Sequence, residues 1–136
     1  MKLHSRFPRY DQFSPKVPVW CLTPDWGGCI HRFFDTPPIS PSGRFAAVFR
    51  MPFEDRQPRP GDKGQVVVID LESGTERVVA ETSGWEPQMG ANINWGATDN
   101  ELYFNDVDTQ AWKPFAWKVD PQSGKRERME GTVYHA

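Results

Sequence analysis

The 136-residue sequence has little of several features that point to a class of protein. No apolar run approaches the roughly 18 residues of a membrane helix. The net charge is −2 with both signs interspersed, which argues against a nucleic-acid surface and a polybasic membrane patch. Glycine-rich phosphate loops and the motifs Gly-x-Ser-x-Gly, His-Glu-x-x-His and Cys-x-x-Cys are absent, which excludes the nucleotide-binding and serine-hydrolase classes. The first residues lack the apolar core of a signal peptide, so we expect a cytoplasmic protein.

Cysteine is also scarce, with Cys21 and Cys29 as the two examples. A turn over residues 23–28 separates them, so a disulfide is geometrically feasible. The expected cytoplasmic location favours two reduced, buried thiols instead. A zinc site needs more ligands at a tighter spacing, so we predict no metal or other cofactor in this chain.

Turn-forming and aromatic residues, in contrast, are plentiful. Thirteen Pro and eleven Gly predict many short strands and few long helices, and six Trp offer stacking surfaces. Residues 31–50 are predicted to form two apolar strands joined by a type I turn at residues 40–43. The segment from Phe45 to Phe49 has almost no polar interruption, so we expect it to be covered on both faces.

A pattern of four strands occurs twice in the sequence. The predicted strands are 38–40, 44–49, 65–70 and 75–80, followed by 93–95, 101–105, 115–120 and 126–129. The turn Asp70-Leu71-Glu72-Ser73-Gly74 matches Asp120-Pro121-Gln122-Ser123-Gly124 at a shift of fifty residues. In each unit the last strand is rich in charge, which suits an outer edge that must not pair with neighbours.

Four-stranded units repeated at this spacing are typical of β-propeller blades. We therefore predict an all-β fold, with an N-terminal arm at 1–16, a further strand at 17–22 and a partial propeller over 17–136. The blades are expected at about 36–80 and 91–130, and a third is expected to start at 131–136. Because propellers need about four to eight blades, we expect an N-terminal fragment of a longer protein; a short chain that self-associates to assemble blades is the alternative.

The repeats resemble those of bacterial propellers related to the periplasmic translocation-associated type. Cys29-Ile30-His31-Arg32-Phe33-Phe34, followed by Ser40-Pro41-Ser42-Gly43-Arg44-Phe45, is most similar to the opening of the oligogalacturonate lyase family, with one residue inserted between Cys and His. The resemblance covers roughly residues 20–130. It implies a seven-bladed cytoplasmic propeller that cleaves short galacturonides by β-elimination. Its divalent metal would be held by His and Gln of later blades, which this chain does not match.

Two residues are candidates for catalysis. β-Elimination beside a uronate needs a base and positive charge near the carboxylate, and His31 and Arg32 supply these types. The alternatives are a hydrogen bond from His31 to a neighbouring turn and an ion pair between Arg32 and Asp35.

Five further residues are candidates for substrate binding: Gln88, Asn92, Asn94, Arg56 and Trp112. The three amides are expected to line a propeller channel, or else to satisfy backbone groups and channel water. Arg56 lies in the long charged loop after Arg50, where local ion pairs are the alternative. Trp112, like Trp85, suits stacking on a sugar ring or packing between blades.

These observations favour a part of a carbohydrate-active propeller that binds an oligosaccharide or another polar small molecule. Nucleic acid and membrane are not expected partners. A fragment without the later blades is expected to be inactive as a lyase. The alternative is a non-catalytic propeller module that binds a protein or a glycan.

Overall fold

A computed structural model describes residues 3–133, and within this range the chain is all-β with no helix. Its eight strands are β1 (Cys29–Ile30), β2 (Phe45–Arg50), β3 (Gly64–Asp70), β4 (Glu76–Thr82), β5 (Asn94–Trp95), β6 (Leu102–Asp108), β7 (Lys113–Val119) and β8 (Arg126–Met129). They form two four-stranded antiparallel sheets: sheet one in the order β1-β2-β3-β4 and sheet two in the order β5-β6-β7-β8. Residues 3–133 hold no helix of the length and apolarity needed to span a membrane.

The turns that join the strands follow the predicted chemistry. Gly43 N–H donates to the Ser40 carbonyl at 2.8 Å, which closes the predicted turn before β2. Gly74 and Gly124 end the two matching turns with φ of 71° and 76°, a conformation in which glycine carries no steric cost. In both sheets the last strand is the most exposed, as predicted for an outer edge.

The two sheets correspond residue by residue, with one correction to the predicted alignment. Ile39 pairs with Ala46 and Trp95 pairs with Leu102, so Trp95 corresponds to Ile39 and not to Ser40. The residue numbers of equivalent positions in the two sheets therefore differ by 56 at the first two strands and by 50 at Asp70 and Asp120. The difference arises because a long loop, residues 51–63, joins β2 to β3, whereas the short turn 109–112 joins β6 to β7.

Sheet one is buried on both faces, as predicted for the segment from Phe45 to Phe49. Its inner face packs against sheet two through Ala47, Phe49, Val66 and Val68, which meet Leu102, Phe104, Trp95 and Ile93. Its outer face carries Ala46, Val48, Val67 and Ile69 and is covered by the N-terminal segment through Phe7, Leu22 and Trp26. The layers are thus N-terminal segment, sheet one and sheet two.

Two predictions about the first unit are wrong. Residues 17–22 form no strand; a single bridge between Arg9 and Trp20 is present, and Pro18 has no N–H to extend it. The predicted strand 38–40 is likewise reduced to one bridge at Ile39, while Cys29 and Ile30 pair with the far end of β2. Residues 31–38 therefore loop out of an interrupted first strand.

Residues after β8 return to the outer face of sheet two. The Asn105 side-chain amide donates to the Val133 carbonyl at 3.0 Å and accepts from the Val133 N–H at 2.7 Å. The rest of the predicted third unit, residues 134–136, lies outside the described residues.

Candidate functional site

Three chain connections meet at one end of the two sheets, which we call the loop end. They are the loop 51–63, the segment 83–93 that links the sheets, and the turn 109–112. They come together because β2, β4 and β6 all finish at this end. Two clefts open here, and the Trp85 side chain borders both.

The first cleft, the Arg56 cleft, has a volume of about 550 Å³ and is bordered by loop 51–63 on one side and by Trp85 and Pro87 on the other. The Arg56 guanidinium lies over the Phe53 ring, 3.6 Å from its centre. Arg56 Nη1 also donates to Asp62 Oδ2 at 2.6 Å and to the Gln57 carbonyl at 3.1 Å. Ring and carboxylate together fix the position of this guanidinium in the cleft.

The charged side chains around Arg56 differ in the hydrogen bonds that they form with the protein. The hydrogen bond from Arg56, followed by the Arg59 N–H bond at 2.8 Å, lowers the pKa of Asp62 below its ordinary value, so Asp62 stays ionised. Glu54 also borders the cleft, and its carboxylate accepts the Gly28 N–H at 3.0 Å. Both bonds from Arg56 within the described residues use Nη1, so Nε and Nη2 remain for an anionic group.

Trp85 forms the wall between the clefts and is held rigidly. It is 8% exposed, and its ring packs against Phe49 and Phe53 with centre-to-centre distances of 5.2 and 5.6 Å. Its indole N–H donates to the Asp62 carbonyl at 2.9 Å. The loop that carries Arg56 is thereby tied to the segment that links the two sheets.

The second cleft, the Trp112 cleft, has a volume of about 400 Å³. Its lining consists of Ser83, Gly84, Trp85, Asn105, Asp106, Val107, Trp112, Pro114 and Thr132. Trp112 is 60% exposed and has a φ of 51°, a left-handed conformation that costs a bulky residue about 1 to 3 kcal/mol. Asp108 Oδ1 supports this turn by accepting the N–H groups of Gln110 and Ala111 at 2.9 and 3.0 Å, and these bonds lower the pKa of Asp108.

The acidic residue in the Trp112 cleft is fully engaged. Asp106 Oδ1 accepts from the Thr82 hydroxyl at 2.8 Å and from the Ser83 N–H at 3.2 Å. Its other oxygen accepts the Trp117 indole N–H at 3.0 Å. Asp106 therefore organises the cleft floor and has little capacity to bind a ligand.

The structure does not bring the two predicted catalytic residues to the loop-end clefts. His31 Nε2 donates to the Phe33 carbonyl at 3.0 Å, within the loop that interrupts the first strand. Arg32 is only 4% exposed, and its Nε has no hydrogen-bond partner among the described residues. Neither residue lines the Arg56 or the Trp112 cleft, so a substrate in these clefts reaches neither of them directly.

The three predicted amide residues are separated by a change in backbone conformation. Gln88 is exposed in a turn whose N–H groups at Gln88 and Met89 are capped by the Glu86 carboxylate. Asn92 is buried with a φ of 52°, and Asn94 is half-buried in β5. Asn92 lies before β5 in a left-handed conformation, so the strict strand alternation that was expected to put Asn92 and Asn94 on one face does not apply.

Of the predicted site residues, Arg56 and Trp112 lie in the adjoining clefts. Sequence reasoning did not find their neighbours Phe53, Asn105 and Thr132. A usable signal was present for Asn105, because Asn-Asp interrupts an apolar strand at residues 105–106. Within residues 3–133 no group of three or more His, Cys, Asp or Glu has a metal-binding arrangement, and Cys21 and Cys29 are free thiols.

A larger cleft of about 650 Å³ lies at the opposite end of the sheets. Its two arginines are engaged by neighbouring side chains: Arg44 donates to Asp70 at 2.8 Å, and Arg77 donates to the Gln122 side chain at 3.3 Å. This cleft is therefore a weaker candidate than the two at the loop end.

Comparison of the chain with protein-family models, with curated proteins and with solved structures found no match.

Proposed function

We propose that the two sheets are consecutive blades of a β-propeller, of the seven-bladed kind, that binds an acidic oligosaccharide at its loop end. The repeated strand order supports the propeller architecture. The path of the chain supports it as well. Residue 90, in the segment that links the sheets, packs on Phe49 of sheet one. Residue 133, which follows sheet two, bonds to Asn105, and Asn105 is the position in sheet two that corresponds to Phe49.

The observation that carries the binding function is the arrangement of Arg56, Trp85 and Trp112. A fixed guanidinium lies in one cleft, an exposed indole lies in the next, and a buried indole separates them. Sugar rings bind proteins through flat aromatic surfaces combined with a few placed polar groups. A uronate adds a carboxylate, for which the arginine fork is the best-matched side chain.

The charge of the neighbouring Asp55 allows an electrostatic test of the proposal. Asp55 is exposed and borders the same cleft as Arg56, so its negative charge opposes a bound carboxylate. Neutralising Asp55 therefore strengthens the binding of a charged sugar, and neutralising Arg56 weakens it. Neither change alters the binding of an uncharged sugar to the same extent.

The test is calorimetric titration of the protein with digalacturonate, using wild type, Arg56→Gln and Asp55→Asn. Loss of one charge-assisted hydrogen-bonded contact at a partly exposed site corresponds to about a tenfold weaker Kd for Arg56→Gln. Arg77→Gln, which removes an exposed arginine at the opposite end of the sheets, is the matched control and leaves Kd unchanged.

Equal affinities for wild type and Arg56→Gln, in samples with unchanged circular dichroism, would refute the proposed site. The β-elimination that the family resemblance implies stays a prediction. It is tested in a complete propeller that contains this chain, because the unsaturated product absorbs in the ultraviolet. Arg32→Ala with unchanged product formation would remove Arg32 from that chemistry.

A further inference from the structure

We infer that the loop end selects an oligosaccharide in which a uronate is joined to a neutral pyranose, rather than a chain made of uronates alone. This inference rests on the proposed function. It assigns the uronate to the Arg56 cleft and the neutral ring to the Trp112 cleft.

The exposed Trp112 side chain is suited to stack against a sugar ring. It is 60% exposed, in contrast to Trp85 at 8%, and it borders a cleft whose floor holds Trp85 and Val107. The two Asp108 hydrogen bonds hold its turn in place even though φ is unfavourable for tryptophan. A turn whose backbone is held before the ligand arrives loses little conformational entropy on binding.

The electrostatics of the Trp112 cleft disfavour a carboxylate. No lysine or arginine is among its lining residues, and its charged member is Asp106. Both Asp106 oxygens accept hydrogen bonds from protein groups, and the negative charge of this side chain opposes a bound carboxylate. The Asn105 amide is committed to Val133, which leaves the hydroxyls of Ser83 and Thr132 for the hydroxyls of a neutral sugar.

The two clefts are neighbours, because one side chain borders both. Trp85 lies between them and is fixed by its bond to the Asp62 carbonyl, the residue that also positions Arg56. Adjacent rings of a single oligosaccharide therefore meet the Arg56 guanidinium in one cleft and the Trp112 indole in the next. A chain of uronates places its second carboxylate next to Asp106, whereas a mixed chain does not.

Calorimetric titration with three four-ring probes tests the inference: xylotriose carrying one glucuronate, tetragalacturonate and xylotetraose. We expect the mixed probe to bind at least tenfold more tightly than either of the others. Trp112→Ala lowers the affinity for the mixed probe about tenfold, Trp112→Phe restores most of it, and Arg56→Gln lowers it independently. Trp20→Ala, at a tryptophan that is 43% exposed in the N-terminal segment, is the control and has no effect.

The outcomes separate this inference from the proposed function. If tetragalacturonate binds as tightly as the mixed probe and Trp112→Ala changes neither, the mixed-ligand inference is overturned and acidic-sugar binding stands. If xylotetraose binds as tightly as the mixed probe and Arg56→Gln has no effect, both are overturned. Because Trp112 lies on an exposed turn, circular dichroism is expected to show that every variant at this position is folded.

Discussion

Each sheet has an Asp-x-x-Ser-Gly turn, and replacement of Asp70 by asparagine tests the electrostatics of the turn in sheet one. Desolvation raises the pKa of Asp70, but the hydrogen bonds from Arg44 and from the N–H groups of Ser73 and Glu72 outweigh it and lower the pKa from 3.8 to about 2. A difference of this size corresponds to about 2.4 kcal/mol. The Arg44 side chain is 50% exposed, so solvent screening reduces the expected loss to about 1 to 2 kcal/mol.

The sign of the pH dependence follows from the lowered pKa. Asp70 contributes its full stabilisation above about pH 4, where it is ionised in both states, and this stabilisation is lost as the pH falls through about 2. Urea denaturation of wild type and Asp70→Asn, followed by circular dichroism, therefore shows a gap near neutral pH that closes on acidification. The matched variant Asp120→Asn costs less, because Asp120 is bonded to Ser123 rather than to an arginine. A constant gap across this range, or equal losses for the two variants, would refute the reasoning.

Three further predictions concern packing and the outer face of sheet two. Phe49→Ala removes a fully buried ring, so urea denaturation should show a loss of about 3 to 5 kcal/mol. Gly64→Ala places a Cβ into the Phe49 ring and should cost more than Gly124→Ala, where the Cβ meets open space and only φ is unfavourable; equal losses in the same assay would contradict this. Asn105→Ala removes both hydrogen bonds to Val133, so hydrogen exchange at the Val133 amide should speed up, and an unchanged rate would argue against that contact.

The strands of both sheets could be predicted because short apolar runs are bounded by turns that carry strong signals. Asp-x-x-Ser-Gly and Ser-Pro-Ser-Gly each impose a turn through local hydrogen bonds and a glycine with positive φ. The interruption of the first strand could not be predicted, because residues 31–38 look like a continuation of the apolar strand. It depends on how Cys29 and Ile30 pair with the distant end of β2.

The cover over sheet one was also missed, for a related reason. Phe7, Leu22 and Trp26 are scattered among prolines and polar residues, so they show no period of two or of 3.6. They pack together only because the outer face of sheet one offers them an apolar surface. A prediction from local pattern cannot detect burial that tertiary contacts alone create.

The candidate site was predicted in part. Arg56 and Trp112 stood out as a cation and an aromatic residue in connections between strands, and the structure places them in adjoining clefts. Their proximity depends on the different lengths of loop 51–63 and turn 109–112, and on Trp85 between them. Arg32 also stood out by residue type, but its burial became visible only in three dimensions.

The measurement that tests the central claim most directly is heteronuclear NMR of the six tryptophan indole N–H groups during a titration with digalacturonate. The account predicts a shift for Trp85, which borders the Arg56 cleft that takes the uronate, and unchanged signals for Trp20 and Trp26 in the N-terminal segment. Shifts confined to Trp20 and Trp26, or no shift at any indole at saturating ligand, would contradict oligosaccharide binding at the loop end.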